Sequence, residues 1–336
     1  MTTYDDVRLN REESGIVCIT GEKSMKAARL KAYGGISAVT VEEIENPILG
    51  EGQVLVGVYA ASLNPFDTTI REGYMKDMIP LKLPFTIGGD ISGKIVAVGE
   101  GVTRFNEGDS VFGQANVVAG NSGAFAEFTA TAAEQVAKTP IGLNYKEAAA
   151  LPLVGVSAWQ AVTQTIHLKP GQRVFIHGGA GGIGRVAIQL AKHVGAYVAT
   201  TATGDNVNVV RGLGADEVIN YNTQDFTDLL SDYDAVFDTV GGDDFVKTLD
   251  VLKSGGVAVS MIAPPDEAKA ATLGVAASMQ QTRVTTAALH ELRKLVEKGV
   301  VTPYIGEVFA LDDVQEAFAA RESGVVSGKI VLEIKE

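Results

Sequence analysis

Gly179, Gly181 and Gly184 stand at G-x-G-x-x-G spacing within Val174-Phe-Ile-His-Gly-Gly-Ala-Gly-Gly-Ile-Gly184. Three apolar residues run into the cluster, and a helical pattern, Arg185 to His193, runs out of it. In such a turn the first glycine permits a tight reversal, the second lets a pyrophosphate reach the backbone, and the third lets helix and strand pack closely. The helix behind them offers unpaired N–H groups and the positive end of its dipole to phosphates. The implied chemistry is dinucleotide binding by Gly179, Ala180, Gly181, Gly182, Ile183 and Gly184. A second spacing refines this. NAD-binding folds hold the ribose 2′-hydroxyl with an acid about 20 residues past the glycines. Here that neighbourhood reads Val198-Ala-Thr-Thr-Ala-Thr-Gly-Asp205, with Ala202 at the acid position between Thr201 and Thr203. A small neutral residue flanked by hydroxyls leaves room for a 2′-phosphate, which favours NADP (as NADPH) over NAD. Asp205 works the other way, because a carboxylate repels phosphate.

The glycine turn needs a strand on one side and a helix on the other, and the chain supplies both. From Asn144 the apolar period becomes helical and then alternates. The pattern predicts strands at 173–177, 197–201, 217–220, 234–238 and 256–260, with helices at 182–194, 206–213, 224–230 and 243–253. Such alternation means right-handed βαβ units in a doubly wound parallel sheet. Apolar runs such as Ala235-Val-Phe and Val257-Ala-Val suit strands buried on both faces. Upstream, Val54 to Ala60, Gly93 to Gly99, Asp109 to Gly113 and Ala124 to Ala130 read as antiparallel strands of a small barrel. Downstream, Thr286 to Gly299 and Leu311 to Arg321 read as helices, and Lys329-Ile-Val-Leu-Glu-Ile as a closing strand. The reading is therefore a leader at 1–24, a barrel at 25–151, an inserted α/β domain at 152–280, and a tail at 281–336 that returns to the barrel. A two-lobed chain of this kind makes a cleft, where ligands prefer to bind.

The 336 residues are enough for about two domains. A net charge of −13, with no long Lys/Arg cluster, excludes nucleic acid and anionic membrane as natural partners and leaves small-molecule chemistry. Cys18 is the sole cysteine, which rules out internal disulfides and cysteine-rich zinc sites. His167, His177, His193 and His290 lack ligand spacing, so no metal is expected. Ala148 to Leu168 carries no charge over a membrane-helix length, but Pro152, Gln160, Thr163, Gln164 and Thr165 interrupt it, which predicts a buried connecting helix. The acidic start is no signal peptide, so the expected location is cytoplasmic. Met25-Lys-Ala-Ala-Arg-Leu reads as a fresh beginning, with a dispensable leader before it.

Six further stretches occur in a telling order: Asn64-Pro-Phe-Asp67, Gly88 to Gly99, Phe105 to Gly113, Leu213 to Tyr221, Phe237-Asp-Thr-Val-Gly241 and Gly328 to Leu332. Together with the glycine cluster they resemble the medium-chain dehydrogenase/reductase superfamily, over about Met25 to Glu336. Within it they resemble the zinc-independent quinone oxidoreductase (zeta-crystallin-like) branch. The resemblance implies a GroES-like β-barrel catalytic domain, a Rossmann NADP-binding domain, and a homodimer, for which the sheet edge near Leu273 to Met279 is a candidate. It also implies hydride transfer to a quinone or an α,β-unsaturated carbonyl (enone). Zinc-dependent cousins carry a cysteine in the first motif and His-Glu in the second, where this chain has Asn64 and Gly89-Asp90.

By the same resemblance, Asn64 and Asp67 sit beside nicotinamide and substrate; from the residues alone they read equally as a strand-to-turn cap. Thr69 lies where relatives often carry Tyr or Lys, which leaves the proton donor open, with Tyr74 and Arg71 as nearby candidates. Ser157 matches a family hydroxyl near the nicotinamide, and Tyr221 a tyrosine at the adenosine phosphate. Val240, Ser260, Met261 and Ile262 end successive strands and would line the nicotinamide. Lys329 matches the tail motif that closes over the cofactor, although Val325 and Ser327 stand where relatives often have arginines. His177 reads as packing. Two other readings stay open: an enoyl thioester reductase, for which no basic coenzyme A patch is evident, and a non-catalytic NADPH-binding protein of crystallin-like or redox-sensing type.

Overall fold

In a computed structural model of the chain, residues 8–11, 17–20 and 24–335 are described. Two compact units result: the chain up to Leu153 with Val284–Glu297 and Pro303–Glu336, and Val154–Arg283 with Lys298–Thr302. The tail thus leaves the first unit once, where Gln189 clasps the backbone of Thr302: Thr302 N donates to Oε1 at 2.9 Å, and Nε2 donates to the carbonyl at 3.3 Å. Most of the expected leader lies outside the described residues. Within it, β1 (Arg8–Arg11) and β2 (Val17–Thr20) pair antiparallel, with Asn10 opposite Cys18.

The first unit opens with β3 (Ser24–Leu30), β4 (Val39–Glu45), β5 (Gln53–Ser62), α1 (Pro65–Glu72), β6 (Phe85–Thr86) and β7 (Asp90–Val98). It continues through β8 (Ser110–Gln114), β9 (Phe128–Ala132), β10 (Val136–Lys138) and α2 (Tyr145–Ala149). The expected strand from Ala124 begins only at Phe128. The uncharged run Ala148 to Leu168 breaks into the end of α2, α3 (Pro152–Gln160) and a π-helical turn at Ala161–Thr165. Among the described residues no helix is long and apolar enough to cross a membrane.

The second unit follows with β11 (Arg173–His177), α4 (Gly182–Val194), β12 (Tyr197–Thr201), α5 (Asn206–Gly212), β13 (Glu217–Ile219) and β14 (Tyr233–Asp238). Then come α6 (Gly242–Thr248), β15 (Leu252–Ser260), α7 (Glu267–Leu273) and β16 (Ala276–Met279). Its six strands are parallel in the order β13-β12-β11-β14-β15-β16. The winding reverses beside β11, which makes the carboxyl end of that strand the switch point where α/β sheets take ligands. Phe175, Ile176, Val198, Ala199, Val236 and Phe237 are fully buried, as strands covered on both faces require.

Two helices expected in this unit are cut short. The one at 224–230 is a single 3-10 turn, Phe226–Asp228, because the Asp225 carboxylate takes Thr227 N at 2.9 Å and Thr227 Oγ1 at 2.8 Å. That local turn competes with helix propagation. The one at 243–253 ends at Thr248, whose hydroxyl bonds back to Phe245 O at 2.7 Å, and a 3-10 turn leads straight into β15.

The tail adds α8 (Thr286–Glu297), β17 (Ile305–Ala310), α9 (Val314–Ser323) and β18 (Lys329–Glu333) to the first unit. Its seven-stranded sheet runs β10-β8-β7-β5-β18-β17, with β9 also pairing β5. Val54, Val56, Val58, Ile91, Ile95, Val111, Phe318 and Leu332 fill the core. The antiparallel register sets Val331 opposite Ser62. Carried on by two residues, it brings Lys329 to Asn64, just past the end of β5.

Candidate functional site

The second unit presents the glycine turn at the end of β11. Its left-handed residue is Gly178 (φ +87°), one place ahead of the spaced triplet. A Cβ on Gly179 would collide with Thr200 Oγ1 on β12, and one on Gly184 would collide with Gly178 O and lie 2.7 Å from Gly179 Cα. Those two glycines are required by the protein's own packing. Gly181 is different. It has ordinary extended angles (φ −72°, ψ 166°), and a Cβ there would meet nothing nearer than Gly178 O at 3.5 Å. Nothing in the chain demands glycine at 181, whereas a phosphate approaching the backbone would. The N-terminus of α4 begins at the same point, so the cradle and its donors fit a pyrophosphate.

Around this turn the strand ends are pinned by one carboxylate. Asp238, fully buried at the end of β14, accepts Ser260 Oγ at 2.6 Å, Val240 N at 3.1 Å and Gly241 N at 3.1 Å, and meets His177 Nδ1 at 2.9 Å. Burial alone would raise its pKa, but the hydrogen bonds from His177, Ser260 and the two amides outweigh that and hold it below the usual range. Ser260 Oγ in turn accepts the amides of Ile262 and Ala263, each at 3.1 Å. Val240 and Ile262 therefore project as exposed apolar side chains from a fixed backbone, with Met261 between the bonded positions. His177 does pack, against Phe175 and Phe226, but it also ties β11 to Asp238.

At the end of β12, Ala202 is buried, Thr201 Oγ1 takes Gly178 N at 2.9 Å, and Thr203 Oγ1 takes Asn222 Nδ2 at 2.8 Å. Tyr221 beside them is 58% exposed. Ser157 is buried, its hydroxyl 2.7 Å from that of Thr282 and its carbonyl on Gln280 Nε2 at 2.9 Å.

The first unit holds the other polar centre. Asn64 caps the N-terminus of α1 in a capping box with Asp67, and its side-chain amide also reaches partners outside the helix. Nδ2 donates to Asp90 Oδ2 at 2.9 Å, while Oδ1 accepts from Lys329 Nζ at 2.6 Å. A carboxylate on one side and an ammonium on the other fix which way the amide faces. Lys329, buried, also donates to Leu63 O at 2.7 Å and lies 3.8 Å from Asp90 Oδ2. Asp90 further accepts Gln114 Nε2 at 3.0 Å and Leu153 N at 3.2 Å. Asp67 completes the group by accepting Asn64 N at 2.7 Å. Burial is the largest influence on Asp67 and, with Asp90 adding to it, pushes the carboxyl up to about 7 against the pull of that amide, Lys329 and Arg321. Burial likewise lowers Lys329, opposed by Asp90 and Asp67.

The other candidates are placed apart from this group. Thr69 turns its hydroxyl back onto Pro65 O at 3.2 Å, and Tyr74 is 77% exposed. Arg71 is fully buried in structural work: it donates to Gly34 O at 3.2 Å, pairs with Glu72 and with Glu322 (2.7 Å), and lies over Phe318. Asp90 and Asp238 were not singled out from sequence, although each is an acid at one end of a strand within a quoted motif. Among the described residues no group of three or more His, Cys, Asp or Glu could hold a metal, and a cation at Asn64 and Asp90 would have to share them with the Lys329 ammonium.

Residues 50–141 match the alcohol dehydrogenase GroES-like domain, and residues 213–332 match the zinc-binding dehydrogenase family model. The chain is 34% identical to the NADPH-dependent alkenal/one oxidoreductase, chloroplastic, of Arabidopsis thaliana, over 92% of this chain and 80% of that protein. Among solved structures it is similar to the quinone oxidoreductase from Coxiella burnetii, with a TM-score of 0.85, 33% identity and coverage of 93% and 100%. It is also similar to a mycobacterial protein solved in complex with NADPH, with a TM-score of 0.83, 28% identity and coverage of 93% and 100%.

Proposed function

The chain belongs to the medium-chain dehydrogenase/reductase superfamily, in its quinone oxidoreductase branch, and from that premise we propose an NADPH-dependent, zinc-independent reductase of quinones or α,β-unsaturated carbonyls. The observation that carries this reading is the open ground over Gly181, a cradle at the sheet's switch point that the protein itself does not need. NADPH, when bound, supplies the hydride. The chain's own residues do the rest. Gly179 to Gly184 and the start of α4 would take the pyrophosphate, and Thr201, Ala202, Thr203 and Tyr221 the adenosine end. Val240, Met261 and Ile262, on the backbone that Asp238 and Ser260 hold, would line the nicotinamide with Ser157.

In the first unit Asn64 is the polar group assigned to the substrate oxygen. Its amide is locked in one orientation and keeps a second Nδ2–H beyond the one given to Asp90. A preorganised neutral donor suits an oxyanion that develops as hydride arrives, because it does not need to reorient during the step. Asp67, its carboxyl pushed up to about 7, can carry a proton at ordinary pH. The Lys329 ammonium already supplies positive charge beside Asn64, which supports chemistry without zinc. β16 is an edge strand of the second sheet, and we assign it the homodimer contact.

The test is NADPH oxidation against a panel of small quinones, enones and an enoyl thioester, with and without a chelator. Turnover of quinones or enones that the chelator leaves unchanged is expected. Absence of turnover on both classes, with NADPH still tightly bound, would sink the reading in favour of a non-catalytic protein.

A further inference from the structure

A cavity of about 280 Å³ opens in the first unit, between the sheet in which β3 lies between β4 and β6 and the segment that follows β8. It shares no lining residue with the glycine turn or the Asn64 group. Its size is close to the lower end for ligand pockets, about 300 Å³. Strand alternation explains its lining. Met25, Ala27 and Arg29 fall on one face of β3, and the antiparallel register sets Ile44 opposite Met25, with Thr40 and Thr86 opposite Arg29. The face is therefore apolar at Met25 and Ile44 and ends in a cation, and Phe85 of β6 adds to the apolar lining.

The Arg29 side chain is only 18% exposed. Its Nη1 donates to Thr86 Oγ1 at 3.1 Å and its Nη2 to Pro84 O at 2.7 Å. A guanidinium has two hydrogens on each terminal nitrogen, so one on each remains uncommitted. Nε stands 3.7 Å from Glu42 Oε1, but Glu42 also pairs with Lys31 at 2.7 Å, so one carboxylate faces two cations. Ser122, on the opposite wall, uses its backbone: its carbonyl accepts Thr129 Oγ1 at 3.0 Å, and its N–H donates to Ala130 O at 3.1 Å. Its hydroxyl makes no hydrogen bond among the described residues. Glu45 also lines the cavity, but it is exposed, and water weakens its field.

Two N–H groups on one guanidinium suit the two oxygens of a carboxylate, and the Ser122 hydroxyl can add a third donor. The apolar lining suits a hydrocarbon chain and would be wasted on an inorganic anion. We propose that this cavity is a binding site for a small organic acid, its carboxylate on Arg29 and Ser122 and its apolar body against Met25, Ile44 and Phe85. The site is independent of the reductase chemistry.

The experiment is equilibrium titration of the full chain with octanoate, octanol and acetate, for wild type, Arg29→Met and Ser122→Leu, with thermal unfolding as the check on folding. Octanoate should bind wild type. Octanol, which has the chain without the charge, and acetate, which has the charge without the chain, should each bind about tenfold more weakly or worse. Arg29→Met should weaken octanoate by about tenfold or more, the loss expected when a charged hydrogen-bond partner is removed, and leave octanol within about twofold. Ser122→Leu, which removes the hydroxyl and fills the space before the guanidinium, should also weaken octanoate, and it decides the matter should Arg29→Met not fold. Failure of octanoate to bind wild type would overturn the proposal, and so would equal octanoate affinity in wild type and the folded variants.

Discussion

Two alanine substitutions in the same turn, Gly181→Ala and Gly184→Ala, should fail in different ways. At Gly184 the new methyl would collide with Gly178 O and sit 2.7 Å from Gly179 Cα and 3.0 Å from Gly178 C. These are backbone atoms, so no rotamer relieves the clash and α4 must move off β11. Its buried face, Val186 to Ile188 with Leu190 and Ala191, would lose its fit. Overpacking of this kind costs about 1–3 kcal/mol, and for a domain of this size each kcal/mol lowers the unfolding midpoint by roughly 2–4 °C. The expected fall is then roughly 2–12 °C. At Gly181 the methyl meets nothing within 3.5 Å and the backbone angles suit any residue. The stability loss should stay under about 1 kcal/mol, that of a poorer helix cap. NADPH affinity should nevertheless fall about tenfold to a hundredfold, because the methyl keeps phosphate from charge-assisted bonds worth about 1.5–3 kcal/mol. Thermal unfolding and a direct NADPH titration, run on both variants, read the two effects separately. If Gly181→Ala binds NADPH as the wild type does, the ground over Gly181 is not a phosphate cradle and the reasoning from it collapses.

Two further expectations concern the buried carboxylates. Asp67 is raised above its ordinary 3.8 to about 7, so the folded chain keeps a proton that the unfolded chain releases, and stability is lost as pH rises between those values. From about pH 5 to about pH 8 the wild type should lose about 2–3 kcal/mol relative to Asp67→Asn, two pH units at about 1.36 kcal/mol each. Denaturant unfolding of the pair at several pH values checks this, and parallel curves would contradict it. Asp238→Asn should destabilise by about 2–4 kcal/mol, since an amide cannot accept from every donor gathered there. It should also weaken NADPH binding through the loosened Val240 and Ile262 backbone; a midpoint that falls with unchanged NADPH affinity would make Asp238 a purely structural residue.

What the sequence disclosed was whatever depends on neighbours within a turn or two. Strands 173–177 and 197–201 and the helix 182–194 are found at those bounds, because apolar runs and glycine spacing are local signals. The short helix at 226–228 escaped that logic because one side chain, Asp225, captured the amide the helix would have used. Lys329 escaped it for a different reason. Its motif marks it as important, but its partner is 265 residues away, and only the antiparallel register of β18 on β5 reveals that it faces Asn64. The same distance hides Asp90, which the sequence offers only as the second residue of the Gly89-Asp90 pair standing in place of His-Glu. Once Lys329 arrives, the three residues make sense together. An asparagine amide has two ends of nearly equal size and opposite polarity, and in a buried site it takes one orientation only if each end meets its complement. Asp90 supplies the acceptor for Nδ2 and Lys329 the donor for Oδ1, and each also needs the other, since neither charge could be buried alone without a large desolvation penalty. The arrangement that positions Asn64 is therefore one that tolerates no partial version: removing either charge strips the amide of its partner on that side and frees it to turn.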